Sequence, residues 1–79
     1  MEIHISDPWK VMVNEINSEG IFSAKNTRNG LKIHCNKINK DTFRIIVAAP
    51  FEDGIVSNES YSASEIECKI QELAKEYKD

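Results

Sequence analysis

Between residues 21 and 49 apolar and polar positions alternate. Phe22 and Ala24 share one phase while Ser23 and Lys25 take the other. Ile33 and Cys35 then alternate with Lys32, His34 and Asn36, and Phe43, Ile45, Val47 and Ala49 with Arg44 and Ile46. A period of two is that of a half-buried strand, so the spacing predicts strands near 21–28, 31–38 and 42–49. Asn29-Gly30 is the dipeptide of a two-residue hairpin; it pairs Arg28 with Leu31, Asn26 with Ile33, Ala24 with Cys35 and Phe22 with Lys37. A one-residue slip would mix the apolar and polar faces. Bringing the third strand onto the same apolar face sets Cys35 opposite Ile45 and Ile33 opposite Val47. That requires a three-residue loop, Asn39-Lys40-Asp41, with Asp41 in a left-handed position. Pro50, which removes a ladder donor, ends this strand or sits at an edge. Asp53-Gly54 signals another turn, and residues 55–61 read as a short fourth strand at the edge.

The flanking segments carry a helical period. Asp7-Pro8 is a helix start, with Asp7 as cap and Pro8 at the first helical position. Trp9, Met12, Val13 and Ile16 follow at i, i+3, i+4 and i+7, and Gly20 serves as the left-handed stop, which predicts a helix over 8–19. The competing strand phase, Trp9, Val11 and Val13, lacks those start and stop signals. At the other end, Ser62-Ala63-Ser64-Glu65 reads as a capping box, with Tyr61 stapled onto Ile66. Ile66, Ile70, Leu73, Ala74 and Tyr77 form one stripe, and Glu65 to Lys69 is an i,i+4 pair, so a second helix runs over 63–78. Both helices are apolar on one stripe only. The expected architecture is therefore a single α+β domain over residues 1–79: two layers, α-β-β-β-(β)-α, with an antiparallel meander sheet and both helices on one face. The strand near 21–28 would then hold a free edge, open to a second copy, so monomer and homodimer are both allowed.

Composition adds to this picture. Seventy-nine residues with eleven Ile and four Val against two Leu suit a sheet-based core of small size. No apolar run reaches the length of a membrane span and no leader pattern opens the chain, which points to a cytoplasmic protein with its two cysteines reduced. Charge is segregated. Residues 21–50 hold Lys25, Arg28, Lys32, Lys37, Lys40 and Arg44 against Asp41 alone, while residues 51–79 set three lysines against eight acids. In the expected register Lys25, Lys32, His34 and Arg44 share the helix-free face of the sheet, interspersed with Ile21, Ile38 and Ile46. Such a face suits phosphates or an acidic protein surface, although a solvated sheet face has the same look. On the last helix Glu65, Glu72 and Glu76 lie within a ~40° arc, an acidic ridge interrupted by Lys69.

Candidate chemistry is sparse. His4, His34, Cys35 and Cys68 lack the spacings that gather metal ligands, so no metal and no cofactor is expected. Ser57, Ser60, Ser62 and Ser64 cluster near the last helix without a base, the three glycines all have turn or cap duties, and Glu52-Asp53 reads as a solvated turn pair. The chain reads as non-enzymatic. The order of its elements, α-β-β-β-α over almost the whole length, resembles the double-stranded-RNA-binding domain. That family grips phosphates with a lysine-rich run at the start of its final helix. Here the same place reads Ser62-Ala63-Ser64-Glu65-Ile66-Glu67, acidic where cations are needed. The functional expectation is a small cytosolic protein-binding module for a host or cognate protein. Small acidic proteins of this kind include phage and mobile-element inhibitors of host complexes, of anti-defence or anti-CRISPR type, which block by shape and charge. Nucleic-acid binding through the basic sheet face is the alternative, and no aromatic residue is expected on that face for bases to stack on.

Overall fold

A computed structural model describes residues 3–16, 18–50 and 54–79. Five strands run in chain order as one antiparallel meander: β1 (Trp9–Glu15), β2 (Ile21–Asn26), β3 (Lys32–Asn39), β4 (Thr42–Ala48) and β5 (Ile55–Ser62). A 3-10 turn, Ala63–Glu65, leads into one helix, α1 (Ile66–Glu76), which returns across one face of the sheet. The alternation read from the sequence decides that face. Phe22, Ala24, Ile33, Cys35, Ile45 and Val47 are buried beneath Ile66, Ile70 and Ala74 of the helix. Ile3 joins them with 1% of its surface exposed, so the N-terminal segment completes the cover beside α1.

The first expected helix is a strand. Two helices therefore become one, and the α-β-β-β-α order of the double-stranded-RNA-binding domain is not formed. The cause is a bulge. Trp9 faces Asn26 and Val11 faces Ala24, but the next paired residue is Val13, opposite Ser23, so Met12 is the extra residue. An extra residue reverses the strand's phase. Trp9 and Val11 reach the core before it; Asn14, opposite Phe22, and Ile16 reach it afterwards. Trp9 and Ile16 thus keep the i, i+7 spacing of a helix without being helical, and Met12, which a helix would bury, is 59% exposed. The helix signals have local explanations. Asp7-Pro8 sits in a turn closed by the Trp9 N–H donating to the Ser6 carbonyl at 3.2 Å. Gly20 has a positive φ of 71°, as expected of a stop residue, and ends a single turn in which the N–H groups of Glu19 and Gly20 both donate to the Glu15 carbonyl. Because β1 pairs with β2, the free edge foreseen at 21–28 is covered, and the sheet is open instead at β1 and β5.

Between β3 and β4 the expected register is found: Cys35 faces Ile45 and Ile33 faces Val47. The loop differs. Ile38 bulges out, Asn39 pairs with Thr42, and Asp41 has no left-handed backbone; the Asn39 side chain accepts its N–H instead. Between β2 and β3 the pairing is displaced by two residues, so that Ala24 faces Ile33 and Phe22 faces Cys35. A shift of two keeps every side chain on its face. The turn is longer than a two-residue hairpin because Asn26 closes it, its Oδ1 accepting the N–H groups of Arg28 (2.8 Å) and Asn29 (3.1 Å).

Asn26 also ties this turn to the helix. Fully buried, it donates through Nδ2 to the carbonyls of Tyr77 and Lys78, each at 3.0 Å. Asn29 donates to the Tyr77 carbonyl as well, and the Trp9 indole N–H donates to the Ala74 carbonyl at 2.7 Å. Helix ends leave their last carbonyls without intrahelical partners. Here side chains from β1, from the end of β2 and from the β2–β3 turn serve that end. At the other end the expected capping box is absent: Ser62 Oγ bonds Glu65 Oε1 at 2.9 Å rather than a backbone N–H. Lys69 pairs with Glu72 at 3.9 Å, not with Glu65. The fourth strand is present and runs to Ser62. Asp53 of the predicted Asp53-Gly54 turn and the Glu52-Asp53 pair lie outside the described residues.

Candidate interaction faces

The face of the sheet away from α1 carries the basic residues, and the register assembles them in rows. Lys10 on β1 faces Lys25 on β2, and Lys25 faces Lys32 on β3; beyond them come Ala48 and Ile55. Directly opposed residues on neighbouring strands have Cβ atoms about 4.5–5.5 Å apart, and like charges so placed repel. All three lysines are exposed. Among the described residues the ion pairs are Arg28 with Asp79 and Lys69 with Glu72, so none of the three lysines meets a carboxylate. The next row crosses Val13, Ser23, His34, Ile46 and Asn58, and the one after it Glu15, Ile21, Asn36, Arg44 and Ser60.

The four basic residues expected on this face are all exposed on it, but they do not form one cluster. Lys25 and Lys32 are direct neighbours, and His34 lies two residues along β3. Arg44 lies four residues along β4 from Ala48, the residue facing Lys32, which at about 3.4 Å per residue is near 14 Å. Arg28, at the tip of the β2–β3 turn, is engaged by Asp79 at 2.6 Å. The residue that sequence reasoning missed is Lys10. Its signal was the strand phase of β1, which the Met12 bulge disguises. Among the cations lie Val13, Ile21, Ile46 and Ala48, all half-buried, and the exposed Ile55. The face therefore mixes unpaired positive charge with β-branched apolar surface. Trp9, Phe22 and Phe43 are buried on the other side.

The acidic ridge stands on the opposite layer. Glu65, Glu72 and Glu76 are all exposed, and β5 extends the ridge with Glu59, which the sequence did not single out. The Tyr61 hydroxyl donates to Glu59 Oε2 at 2.7 Å. That bond first, then burial and the charges of Glu59, Glu72 and Glu65, pushes the phenol up to about 12. Lys69 stands 5.5 Å from the centre of the Tyr61 ring and tempers the ridge, while also reaching Glu72. The Cys68 thiol donates to Glu72 at 3.3 Å, which is the main cause of its raised pKa, and burial pushes the Cys35 thiol up to about 11. Nucleophilic attack needs the thiolate, and both thiols are held in the protonated form near neutral pH. Among the described residues no group of three or more His, Cys, Asp or Glu side chains is placed to hold a metal ion. No helix among them is long and apolar enough to cross a membrane.

A cleft of about 610 Å³ lies between the N-terminal segment and the second half of α1, lined by His4, Asp7, Trp9, Gln71, Lys75 and Lys78 among others. It depends on the packing of Ile3 against the sheet, which no local pattern announces. No family model, no curated protein and no solved structure matches this chain.

Proposed function

We propose that the chain is a non-catalytic protein-binding module whose open sheet face docks onto an acidic surface of a partner protein. The observation that carries this reading is the row Lys10, Lys25, Lys32, three like charges set side by side with no carboxylate among them. A fold gains nothing from such a row. A partner that places carboxylates over it does, and the β-branched residues alongside give that partner an apolar centre inside a charged rim, as protein interfaces have. The same features favour protein over nucleic acid, since among the described residues the face offers bases no aromatic platform. Its action is occupancy: the module covers a surface on a host or cognate complex, as an inhibitor does, without changing a bond.

The test is capture from a lysate of the native cell with wild type, with Lys10→Glu/Lys25→Glu/Lys32→Glu, and with Glu65→Lys/Glu72→Lys/Glu76→Lys. One stoichiometric protein retained by wild type and the ridge variant, and lost from the lysine variant, is the expected result. Retention by the lysine variant would remove the sheet face from the account. Mobility shift of duplex or single-stranded nucleic acid that collapses with salt would transfer the same row to a phosphate backbone.

A further inference from the structure

Sheets that end in open edges are usually guarded there by charge, proline, bulges or a covering segment. The edge at β1 has such guards: Lys10 lies on it, the Met12 bulge breaks it, and the Trp9 N–H is already taken by Ser6. The edge at β5 is less well guarded. Ile55–Ser62 contains no lysine, arginine or proline, and Glu59 is its sole charged residue. Its bulge falls early, at Val56, and the pairing with β4 is regular from Ser57 to Ser62.

A single bond sets the phase of that edge. The Ala63 N–H donates to the Asp41 carbonyl at 2.9 Å, so positions 63 and 41 form a hydrogen-bonded pair of the β4–β5 ladder. Bonded and non-bonded pairs alternate along an antiparallel ladder. Ser57, Glu59 and Tyr61 therefore turn their backbone groups towards β4. Asn58 and Ser60 turn theirs outward, and so does the Ser62 N–H, while the Ser62 carbonyl already serves the 3-10 turn that follows.

We infer that β5 pairs antiparallel with β5 of a second copy, about a twofold axis at Ser60, so that two five-stranded sheets become one. Two neighbouring registers are unfavourable. An axis at Glu59 would set the two Glu59 carboxylates opposite one another, which is repulsive. An axis at Asn58 would draw the bulged Val56 into the ladder. An axis at Ser60 bonds Asn58 to Ser62 of the second copy, Ser60 to its equivalent, and Ser62 to Asn58 of the second copy. It also sets each Glu59 opposite a Tyr61 from the other chain. Those two side chains already form a hydrogen bond within one chain, and the symmetric pairing offers each phenol the carboxylate of the other chain as a second acceptor for its one proton. This match of acid to phenol is why the occupant is a second copy and not an unrelated strand. Both open faces then lie on the same side, and Arg44, which faces Ser60, is brought towards the axis with its equivalent.

Sedimentation equilibrium on the full chain, from micromolar to millimolar concentration, tests this directly. The expected result is a mass that rises from 9.0 kDa towards twice that value. Ser60→Pro, in which only an outward N–H is lost, should weaken association at least tenfold while leaving the circular dichroism spectrum and urea midpoint near wild type. In wild type, amide exchange at Asn58, Ser60 and Ser62 should slow with concentration, and exchange along β1 should not. A single 9.0 kDa species throughout, association unchanged in Ser60→Pro, or β5 amides indifferent to concentration would each overturn the pairing. Lys25→Glu should leave the dimer intact, which keeps this test separate from docking on the open face.

Discussion

Asn26 explains more of this structure than any apolar residue of comparable size. Its amide has two donors and two acceptor sites, and all are used: two helix-end carbonyls on one side, two turn N–H groups on the other. The turn it closes spans residues 27–30, and this is why the β2–β3 pairing moved by two from the Asn29-Gly30 hairpin. The dipeptide signal was not empty, since Gly30 has a positive φ of 82°. It marked the end of a longer turn whose geometry a buried amide four residues earlier decides. A comparison of two substitutions weighs that amide against a charge. Asn26→Leu should lower stability by about 2–3 kcal/mol, because several buried hydrogen bonds go and their partners remain. Arg28→Ala, which breaks the 2.6 Å bridge from the same turn to Asp79, should change stability by less than about 1 kcal/mol, because both side chains are more than 60% exposed. Urea titration of the two variants checks this, and a larger loss from Arg28→Ala would reverse the assignment.

At the scale of elements, what was legible depended on whether a segment's phase stays constant. β3 and β4 keep theirs through the core, and the pairs Cys35–Ile45 and Ile33–Val47 could be read from alternation alone. The stripe on α1 keeps its phase too, and Ile66, Ile70 and Ala74 are buried as it demands. β1 changes phase at Met12, and a strand interrupted by one extra residue mimics a helix to any reading based on spacing. Two substitutions separate the alternatives. In a helix Met12 and Trp9 would share the buried stripe, whereas in the strand Met12 is out and Trp9 is 5% exposed with its indole bonded to Ala74. Met12→Lys should therefore cost less than about 0.5 kcal/mol. Trp9→Ala should cost about 3–5 kcal/mol, since it empties a core position and frees a helix-end carbonyl. Comparable losses at the two positions, in thermal or urea melts, would count against the strand. The site was legible to the same extent. Lys25, Lys32, His34 and Arg44 lie on strands whose phase was right, and Lys10 was hidden with β1.

For the molecule as a whole, the segregation of charge along the chain becomes a segregation of layers, basic on the open sheet face and acidic on the helix. The basic block counted in residues 21–50 is not one patch: Arg28 is paired, Arg44 stands apart, and Lys10 from outside the block completes the row. That row repels itself, and natural folds accept such local conflicts mainly where a function requires them. Lys25 is the place to measure the conflict, because it is flanked by Lys10 on one strand and Lys32 on the other. Lys25→Glu turns two like-charge pairs into two opposite pairs without touching the core. Cross-strand pairs are each worth roughly 0.2–1 kcal/mol, so the variant should be more stable than wild type by about 1 kcal/mol. The gain should shrink as salt is raised, since exposed charges are screened. The same variant should lose the partner that wild type captures. Urea midpoints at low and high ionic strength, measured beside the capture experiment, give both readouts from one protein. A variant that binds less and folds better marks the row as a surface kept for its partner. One that folds less well would mean that Lys25 serves the sheet after all.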